Sequence, residues 1–164
     1  MTVVFREVAL PPAVKGRLLL HSMPGFQESL AESLAAIKAA DITEVICLTP
    51  QREVESRSPE YARAIKNNAV GARLLQFPIT DLSADSDPQT FVELAKDVGA
   101  RLQGGESILV HCAFGIGRTG TVATLVLMAL GVQMGEALDH VVEAGSRTES
   151  SVQLRLIRSL ALEF

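Results

Sequence analysis

The stretch SILVHCAFGIGRTGTVATLVLMAL, residues 107–130, decides the fold class of this 164-residue chain. Its opening SILVH is almost wholly apolar, which is typical of a central β-strand covered on both faces. A glycine-rich turn follows, and residues 117–131 carry the apolar pattern of a buried helix. A strand, a tight turn and a helix in direct succession indicate an α/β domain.

The alternation of short β-rich runs and longer helical patterns continues along the whole chain. The runs that predict strands are Val3–Val8, Arg17–His21, Glu44–Leu48, Arg73–Phe77 and Ser107–His111. The stretches that predict helices are Gln27–Ala40, Ser58–Asn68, Pro88–Gln103, Gly117–Gly131, Met134–Ala144 and Ser151–Leu162. Because no helix separates the first two strands, the central sheet is predicted to be mixed, although mostly parallel. No linker or repeat divides the chain, so we expect residues 1–164 to form a single domain with helices packed on that sheet.

Composition and charge argue against several classes of protein. Apolar residues make up 48% of the chain and charged residues 21%, as is usual for soluble globular proteins. The net charge is −4 and no basic run is interleaved with aromatic residues, so nucleic-acid binding is not expected. Thr121–Val132 is too short to span a bilayer, and Arg6 and Glu7 interrupt the N-terminal stretch that a signal peptide would keep apolar. Two cysteines make no disulfide framework, so we expect the reducing cytoplasm as the compartment. We also expect the protein to be a monomer.

The glycine-rich turn has two competing interpretations. Residues 115–120, GIGRTG, spell the GxGxxG of a dinucleotide-binding turn. That fold needs a second strand after the helix, with an acidic residue near its end to hold the ribose. Only 44 residues follow Gly120, and their pattern is helical. The dinucleotide interpretation is therefore disfavoured.

The second interpretation is a site that attacks a phosphate ester. Cys112 stands six residues before Arg118, with glycines between them. A phosphoryl dianion needs donors on its equatorial oxygens and a nucleophile in line with the leaving oxygen. Arg118 offers a planar fork for two oxygens, and the start of the next helix adds positive charge that also stabilises a Cys112 thiolate. The backbone N–H groups expected to bind the phosphate belong to Ala113, Phe114, Gly115, Ile116, Gly117 and Arg118.

Two polar residues beside the nucleophile have supporting roles in this interpretation. His111 is expected to form hydrogen bonds around the loop rather than to touch the substrate. The Thr119 hydroxyl is expected to donate a hydrogen bond to the Cys112 sulfur and to help the thiolate leave when a phosphocysteine breaks down.

The stretch HCAFGIGRT resembles the HCxxGxxR(S/T) signature of the cysteine-dependent protein tyrosine phosphatase superfamily. The resemblance implies a general acid about 30 residues before the signature, where FPITDLS supplies Asp81. It also implies a glutamine in the last helices that positions the hydrolytic water, for which Gln153 is the candidate. LLLHSMPG and VICLTPQREVE are similar to the compact dual-specificity branch, and most of all to the cyclin-dependent-kinase-associated phosphatases.

The resemblance implies a phosphomonoester hydrolase that acts on phosphotyrosine, phosphoserine or phosphothreonine through a phosphocysteine, without metal or cofactor. A phosphorylated protein and a small phosphomonoester both remain possible substrates. The loop carries no lysine, which disfavours a highly charged inositol lipid. Two other classes stay open: a catalytically weak phosphate-binding module, and a sulfurtransferase of the rhodanese type, whose loop is usually one residue shorter.

Three of the assigned residues have competing interpretations. Asp81 has rivals in Asp85 and Asp87, and Gln153 is equally compatible with a surface position on a helix. Cys47 lies in an apolar strand, where cysteine is most often a small core residue. If that strand neighbours Ser107–His111, Cys47 could form a reversible disulfide with Cys112, and the matching stretch of the kinase-associated phosphatases also carries a cysteine.

Overall fold

The computed structural model describes residues 2–81 and 87–164, and it places a five-stranded sheet at the centre of this part of the chain. The strands are β1 (Arg6–Val8), β2 (Arg17–His21), β3 (Glu44–Cys47), β4 (Arg73–Gln76) and β5 (Ser107–His111). They lie in the order β1-β2-β5-β3-β4, and β1 is antiparallel to β2 while the other neighbours are parallel. The predicted mixed, mostly parallel sheet is confirmed.

Helices cover both faces of the sheet. They are α1 (Leu30–Ala39), α2 (Gln51–Arg57), α3 (Pro59–Lys66), α4 (Pro88–Gln103), α5 (Gly117–Ala129), α6 (Met134–Glu143) and α7 (Ser151–Ser159), followed by a 3₁₀ turn at Ala161–Glu163. Alternate strand residues point to opposite faces. Leu18, Leu20 and Val110 therefore pack with α4 to α7, whereas Leu19 and Leu109 pack with α1 to α3. Within residues 2–81 and 87–164, no helix is both long and apolar enough to cross a bilayer.

Local hydrogen bonds explain where the helices differ from the predicted limits. Helix α1 begins at Leu30 rather than Gln27 because Ser29 and Glu32 form a capping box. Asp87 caps α4 by accepting from the Gln89 N–H at 3.0 Å, as the Asp-Pro pair indicates. Ser58 precedes α3 but does not cap it, since its hydroxyl donates to the Pro24 carbonyl at 2.9 Å.

Several element limits were predicted too wide, and one helix was not predicted. Strand β1 starts at Arg6 instead of Val3, and α7 ends at Ser159 instead of Leu162. Helix α2 has only seven residues, of which Val54 is the buried one, so it carries no periodic apolar signal.

The topology places the end of β5 at the centre of the carboxyl edge of the sheet. Strand β5 lies between β2 and β3, and the three are parallel, so the loop after β5 emerges between the ends of its two neighbours. Such a crevice at the carboxyl ends of strands is where open α/β sheets bind ligands.

Candidate active site

The loop that joins β5 to α5, residues 112–116, is held in place through its carbonyl oxygens. The Ala113 carbonyl accepts from the Met23 N–H at 3.0 Å. The Gly115 carbonyl accepts from Arg6 Nη2 and from Ser146 Oγ, both at 2.6 Å. The Ile116 carbonyl accepts from the N–H groups of Gly120 at 2.8 Å and Arg147 at 3.2 Å. Because these carbonyls are bonded to surrounding elements, they point away from the side of the loop on which its N–H groups lie.

These N–H groups form a cradle for an anion. In the part of the chain that the structure describes, no backbone N–H from Ala113 to Arg118 donates to a protein acceptor. Two of them, at Gly117 and Arg118, open helix α5, whose first-turn N–H groups have no intrahelical acceptor and carry partial positive charge. The residues predicted to bind phosphate are therefore brought together as a set of unused donors.

The two glycines of the loop have different functions. Gly115 has φ of 74°, and a Cβ there would collide with the carbonyl of His21, so the residue needs both the conformational freedom and the small size of glycine. Gly117 contributes only its small size. It has no positive φ and begins α5, and a Cβ there would collide with the Glu149 carboxylate.

The candidate nucleophile lies at the base of the cradle. Cys112 is 3% exposed, and its Sγ accepts a hydrogen bond from Thr119 Oγ1 at 3.1 Å. Thr119 is fully buried in the first turn of α5. The contact expected between these side chains is present, and a hydroxyl donor at this position stabilises negative charge on the sulfur.

His111 does not face the cradle. It is fully buried, with Nδ1 at 3.0 Å from the Cys112 carbonyl and Nε2 at 2.8 Å from the Tyr61 hydroxyl. Burial lowers the pKa of His111 to about 4, so the imidazole is neutral at pH 7. Because a carbonyl can only accept, Nδ1 carries the proton and Nε2 accepts from Tyr61. His111 thus connects the Cys112 carbonyl to Tyr61 on α3 by hydrogen bonds, as expected of a residue that supports the loop without touching the substrate.

Arg118 is held beside Cys112 by a carboxylate that the sequence did not reveal. Glu53, on α2, accepts from Arg118 Nη1 at 2.8 Å and from Nη2 at 3.1 Å. Nη1 also donates to the Ile79 carbonyl at 3.0 Å. Arg118 is 1% exposed, and its Nε has no hydrogen-bond partner among the described residues. The guanidinium is thus fixed in direction while one N–H remains for an incoming oxyanion.

The charges around Arg118 keep both partners ionised. The hydrogen bonds from Arg118 hold the pKa of the Glu53 carboxyl below its usual range. Burial lowers the pKa of Arg118, but its hydrogen bonds to Glu53 and the charges of Cys112, Glu53 and Asp81 outweigh that effect and raise it overall. A cation that stays charged when buried is what recognition of a phosphoryl dianion requires.

Asp81 lies at the open side of the same cluster. Its Oδ1 is 3.5 Å from Arg118 Nη2, and its side chain is 48% exposed. After β4 the chain continues beside the end of β3, where the Ile79 N–H donates to the Leu48 carbonyl at 2.9 Å. This bond positions Asp81, two residues further on. Of the rival acids, Asp87 is engaged as the cap of α4, and Asp85 lies outside the described residues.

Gln153 is not brought to Cys112 or Arg118 by any contact among the described residues. It is fully buried in the first turn of α7, where its Oε1 accepts from the Glu149 N–H at 2.7 Å. Its Nε2 is buried without a hydrogen-bond partner in that part of the chain.

The described ranges 2–81 and 87–164 hold no group of three or more histidine, cysteine or acidic side chains arranged to hold a metal ion. The positive charge at the cradle comes from Arg118 and from the helix N-terminus.

Cys47 lies one strand away from the nucleophile. It pairs with His111 across β3 and β5, so Cys112 is the next residue along the neighbouring strand. Both cysteines are free thiols, and burial raises the pKa of Cys47 to about 11. Cys112 is offset from Cys47 by one residue, about 3.3 Å, on strands about 4.7–4.9 Å apart, so their Cα atoms lie about 6 Å apart, within the roughly 4.4–6.8 Å of disulfides. The two side chains pack in the clusters on opposite faces of the sheet. The disulfide between these cysteines stays a prediction.

Sequence patterns missed two residues of the site, Glu53 and Arg6. Glu53 lies in the short helix α2, where the Glu53–Arg57 ion pair at 3.1 Å has the i, i+4 spacing typical of helices and is the one local signal for it. Arg6 lies in β1, more than 100 residues from the loop carbonyl to which it donates, and has no local signal.

Known proteins resemble this chain in fold and in sequence. Kinase-associated phosphatase, solved with a serine in place of its catalytic cysteine, matches with a TM-score of 0.85 at 16% identity over 99% of this chain and 96% of that chain, which concerns the fold alone. Tk-PTP in its active form matches with a TM-score of 0.71 at 26% identity over 93% of this chain and 99% of that chain. A Cupriavidus necator protein named among the tyrosine-protein phosphatases is 40% identical over 60 residues, which are 37% of this chain and 22% of that protein. The chain thus matches only about a fifth of the length of that curated relative.

Fold and loop together define a cysteine-dependent phosphatase domain of the dual-specificity type. Residues 12–163 match the model of one family of such domains, PTP-SAK, the DSP-PTPase phosphatase domain of Swiss Army Knife proteins. The chain belongs to this family. The resemblance to the compact dual-specificity branch is confirmed, and the dinucleotide and sulfurtransferase interpretations are set aside.

Proposed function

We propose that residues 1–164 form one catalytic domain that removes phosphate from phosphotyrosine and from phosphoserine or phosphothreonine through a phosphocysteine. The observation that carries this proposal is the position of Cys112 at the base of a loop whose N–H groups, from Ala113 to Arg118, have no protein acceptor in the described chain. Such a cradle fits the three equatorial oxygens of a phosphoryl group with sulfur in line.

In the first step, the Cys112 thiolate attacks phosphorus as the bond from phosphorus to the ester oxygen breaks. The loop N–H groups and Arg118 hold the three remaining oxygens, and Arg118 Nε is the donor still unused. Asp81 gives its proton to the leaving oxygen, which departs as an alcohol or phenol. The ion pair between Asp81 Oδ1 and Arg118 Nη2, at 3.5 Å, supports Asp81 as this acid.

In the second step, water attacks the phosphocysteine and Asp81 takes its proton. The sulfur–phosphorus bond breaks, and the thiolate that leaves receives the hydrogen bond from Thr119. Gln153 stays proposed as the residue that orients this water. Its buried, unpartnered Nε2 is the donor that would do so, since Oε1 is already bonded to Glu149.

A cleft beside Arg118 suits a phosphorylated side chain with its flanking residues. It has a volume of about 540 Å³ and is lined by Pro50, Arg52, Glu53, Ser56, Arg57, Thr80 and Asp81. At its edge, Arg57 lies over the rings of Phe26 and Phe114, at 5.3 and 5.2 Å from their centroids. Aromatic faces with a nearby cation favour a phosphotyrosine or an acidic peptide segment.

The proposed function is tested by assaying p-nitrophenyl phosphate together with paired peptides that differ only in phosphotyrosine or phosphothreonine. Turnover of the aryl phosphate and of both peptides, unaffected by a metal chelator, is expected. Hydrolysis of the aryl phosphate without either peptide would instead support a small phosphomonoester as substrate. Tungstate binding without turnover would contradict the proposal and favour a phosphate-binding module.

Asp81→Asn is expected to lower kcat by roughly 10²–10⁴, the usual contribution of a general acid. The loss should be largest for alkyl phosphates, whose leaving oxygen needs a proton, and smaller for aryl phosphates with acidic leaving groups. The basic limb of the pH–rate profile for alkyl phosphates should disappear. Asp139→Asn, at an exposed position on α6, is the matched control and should leave the profile unchanged. The same pattern in Asp85→Asn, with Asp81→Asn unaffected, would assign the acid to Asp85.

A thiolate nucleophile requires a reducing compartment, so we propose a cytoplasmic protein. We also propose that it acts as a monomer without nucleic-acid or membrane partners, in keeping with its net charge of −4. Gel filtration of the active protein at micromolar concentration checks the oligomeric state.

Mild peroxide is expected to inactivate the protein reversibly through Cys47. Peroxide oxidises the Cys112 thiolate to a sulfenic acid, and the Cys47 thiol then displaces water to form a disulfide. Dithiothreitol should reduce that bond and restore activity, and peptide mapping should show the cross-linked pair. In Cys47→Ala, the same treatment should cause faster irreversible loss as Cys112 proceeds to sulfinic acid. Equal rates of irreversible loss in both proteins would leave Cys47 as a core residue only.

A further inference from the structure

Arg6 is a half-buried cation for which the mechanism above has no use. It opens strand β1, and the alternation of the strand places it on the same face as Val8, toward helices α6 and α7. Its guanidinium is half-buried and lies against the back of the loop that holds Cys112.

Three hydrogen bonds fix the Arg6 guanidinium. Nη1 donates to the Ala144 carbonyl at 2.9 Å and to Ser146 Oγ at 2.8 Å, and Nη2 donates to the Gly115 carbonyl at 2.6 Å. Ser146 Oγ donates to the same Gly115 carbonyl at 2.6 Å. The Gly115 peptide is thus held by two donors, and its carbonyl cannot turn toward the phosphate side without breaking both.

Among the described residues, no carboxylate pairs with the charge of Arg6. Throughout residues 2–81 and 87–164, the acceptors of its guanidinium are two carbonyls and one hydroxyl, and the opposing charge in its surroundings is that of Cys112. Burial lowers the pKa of Arg6, and the negative charge at Cys112 opposes that shift. A half-buried cation without an acidic partner in the described part of the chain, bonded to the loop of the nucleophile, favours an anion there.

We propose that Arg6 is a positioning residue of the phosphate site, whose fork holds the Gly115 peptide in the orientation that binds phosphate and whose charge stabilises the Cys112 thiolate. The proposal rests on the function proposed above. Through Arg6, strand β1 would then control the orientation of a loop more than 100 residues later in the sequence.

The test compares Arg6→Met with the wild-type protein in two measurements that need no turnover. One is the calorimetric Kd for tungstate, a tetrahedral oxyanion. The other is the pH midpoint of Cys112 alkylation by iodoacetamide, followed by mass spectrometry. Arg6→Met is expected to weaken tungstate binding about tenfold, the scale of one hydrogen bond to a charged group, and to raise the alkylation midpoint. Arg17→Met, which removes an arginine 45% exposed on the adjacent strand, is the matched control and should change neither value.

A role limited to folding would lower the melting temperature of Arg6→Met but leave both values unchanged in the folded protein, and that result would overturn the proposal. If Arg6→Met does not fold, Arg6→Lys and Ser146→Ala carry the test. Each variant keeps the positive charge near the loop but removes at least one of the hydrogen bonds that hold the Gly115 peptide. Both should therefore weaken tungstate binding, and Arg6→Lys should keep the alkylation midpoint of the wild-type protein. Unchanged tungstate binding in both would also overturn it. Failure of the wild-type protein to turn over any phosphate ester is a separate result, which concerns the proposed function alone.

Discussion

Cys112→Ser is expected to abolish turnover of p-nitrophenyl phosphate, a loss on the order of 10⁶ by comparison with removal of other enzymatic nucleophiles. A serine hydroxyl does not ionise near neutral pH and is a far weaker nucleophile than a cysteine thiolate. The substitution removes little volume and leaves the loop N–H groups in place. Tungstate binding by calorimetry should therefore stay within a few-fold of the wild-type value.

Cys47→Ala is the matched control for this substitution, since it removes the other buried thiol and should retain turnover. Retained turnover in Cys112→Ser would contradict the phosphocysteine mechanism. Loss of tungstate binding in the same variant would show instead that the sulfur, rather than the loop, holds the oxyanion.

Arg118→Lys is expected to lower kcat/KM by roughly 10³–10⁵, the range measured for arginines that stabilise a phosphoryl transition state. An ammonium group cannot reach Glu53 through two parallel hydrogen bonds, bond to the Ile79 carbonyl and still offer a donor to phosphate. Glu53 would then lie beside the phosphate with its charge poorly balanced. Unlike Cys112→Ser, this variant should also bind tungstate more weakly.

Two further variants separate the causes of that loss. Arg63→Lys, at an exposed position on α3, is the matched control and should behave as wild type. The double variant Arg118→Lys/Glu53→Gln removes the poorly balanced carboxylate and should recover part of the tungstate affinity. A loss below about tenfold in Arg118→Lys would contradict a specific requirement for the guanidinium, because a charged hydrogen bond alone accounts for that much.

The contiguous part of the site was predictable because one short segment encodes it. Cys112, Arg118 and Thr119 follow one another across a strand end, a turn and a helix start, so their proximity depends on local geometry. The same holds for the sheet, since nearly continuous apolar runs indicate central strands wherever they occur. The strand order depends on long-range pairing, which apolar periodicity does not encode.

The residues that could not be predicted belong to distant segments. Glu53 reaches Arg118 from a helix of seven residues, too short for a periodic signal. Tyr61 lies on the face of the sheet that α1 to α3 cover, and its hydroxyl is hydrogen-bonded to His111, 50 residues later in the sequence. The role of Gln153 was predicted from the resemblance alone. Its Oε1 accepts a hydrogen bond from the Glu149 N–H, just before α7, which no sequence pattern indicates.

The residues that donate hydrogen bonds to the loop carbonyls come from both ends of the sequence, so the ribosome synthesises them at very different times. Donors to Gly115 come from position 6 and from position 146, and the latter follows the loop by 31 residues. A nascent chain that has already released the signature segment therefore lacks half of the scaffold around it. Because long-range contacts form late in folding, activity in a refolding experiment should appear after the helical signal is complete. The phosphatase domain would then become active only when it is entire, and no partly synthesised fragment would hydrolyse a phosphate ester.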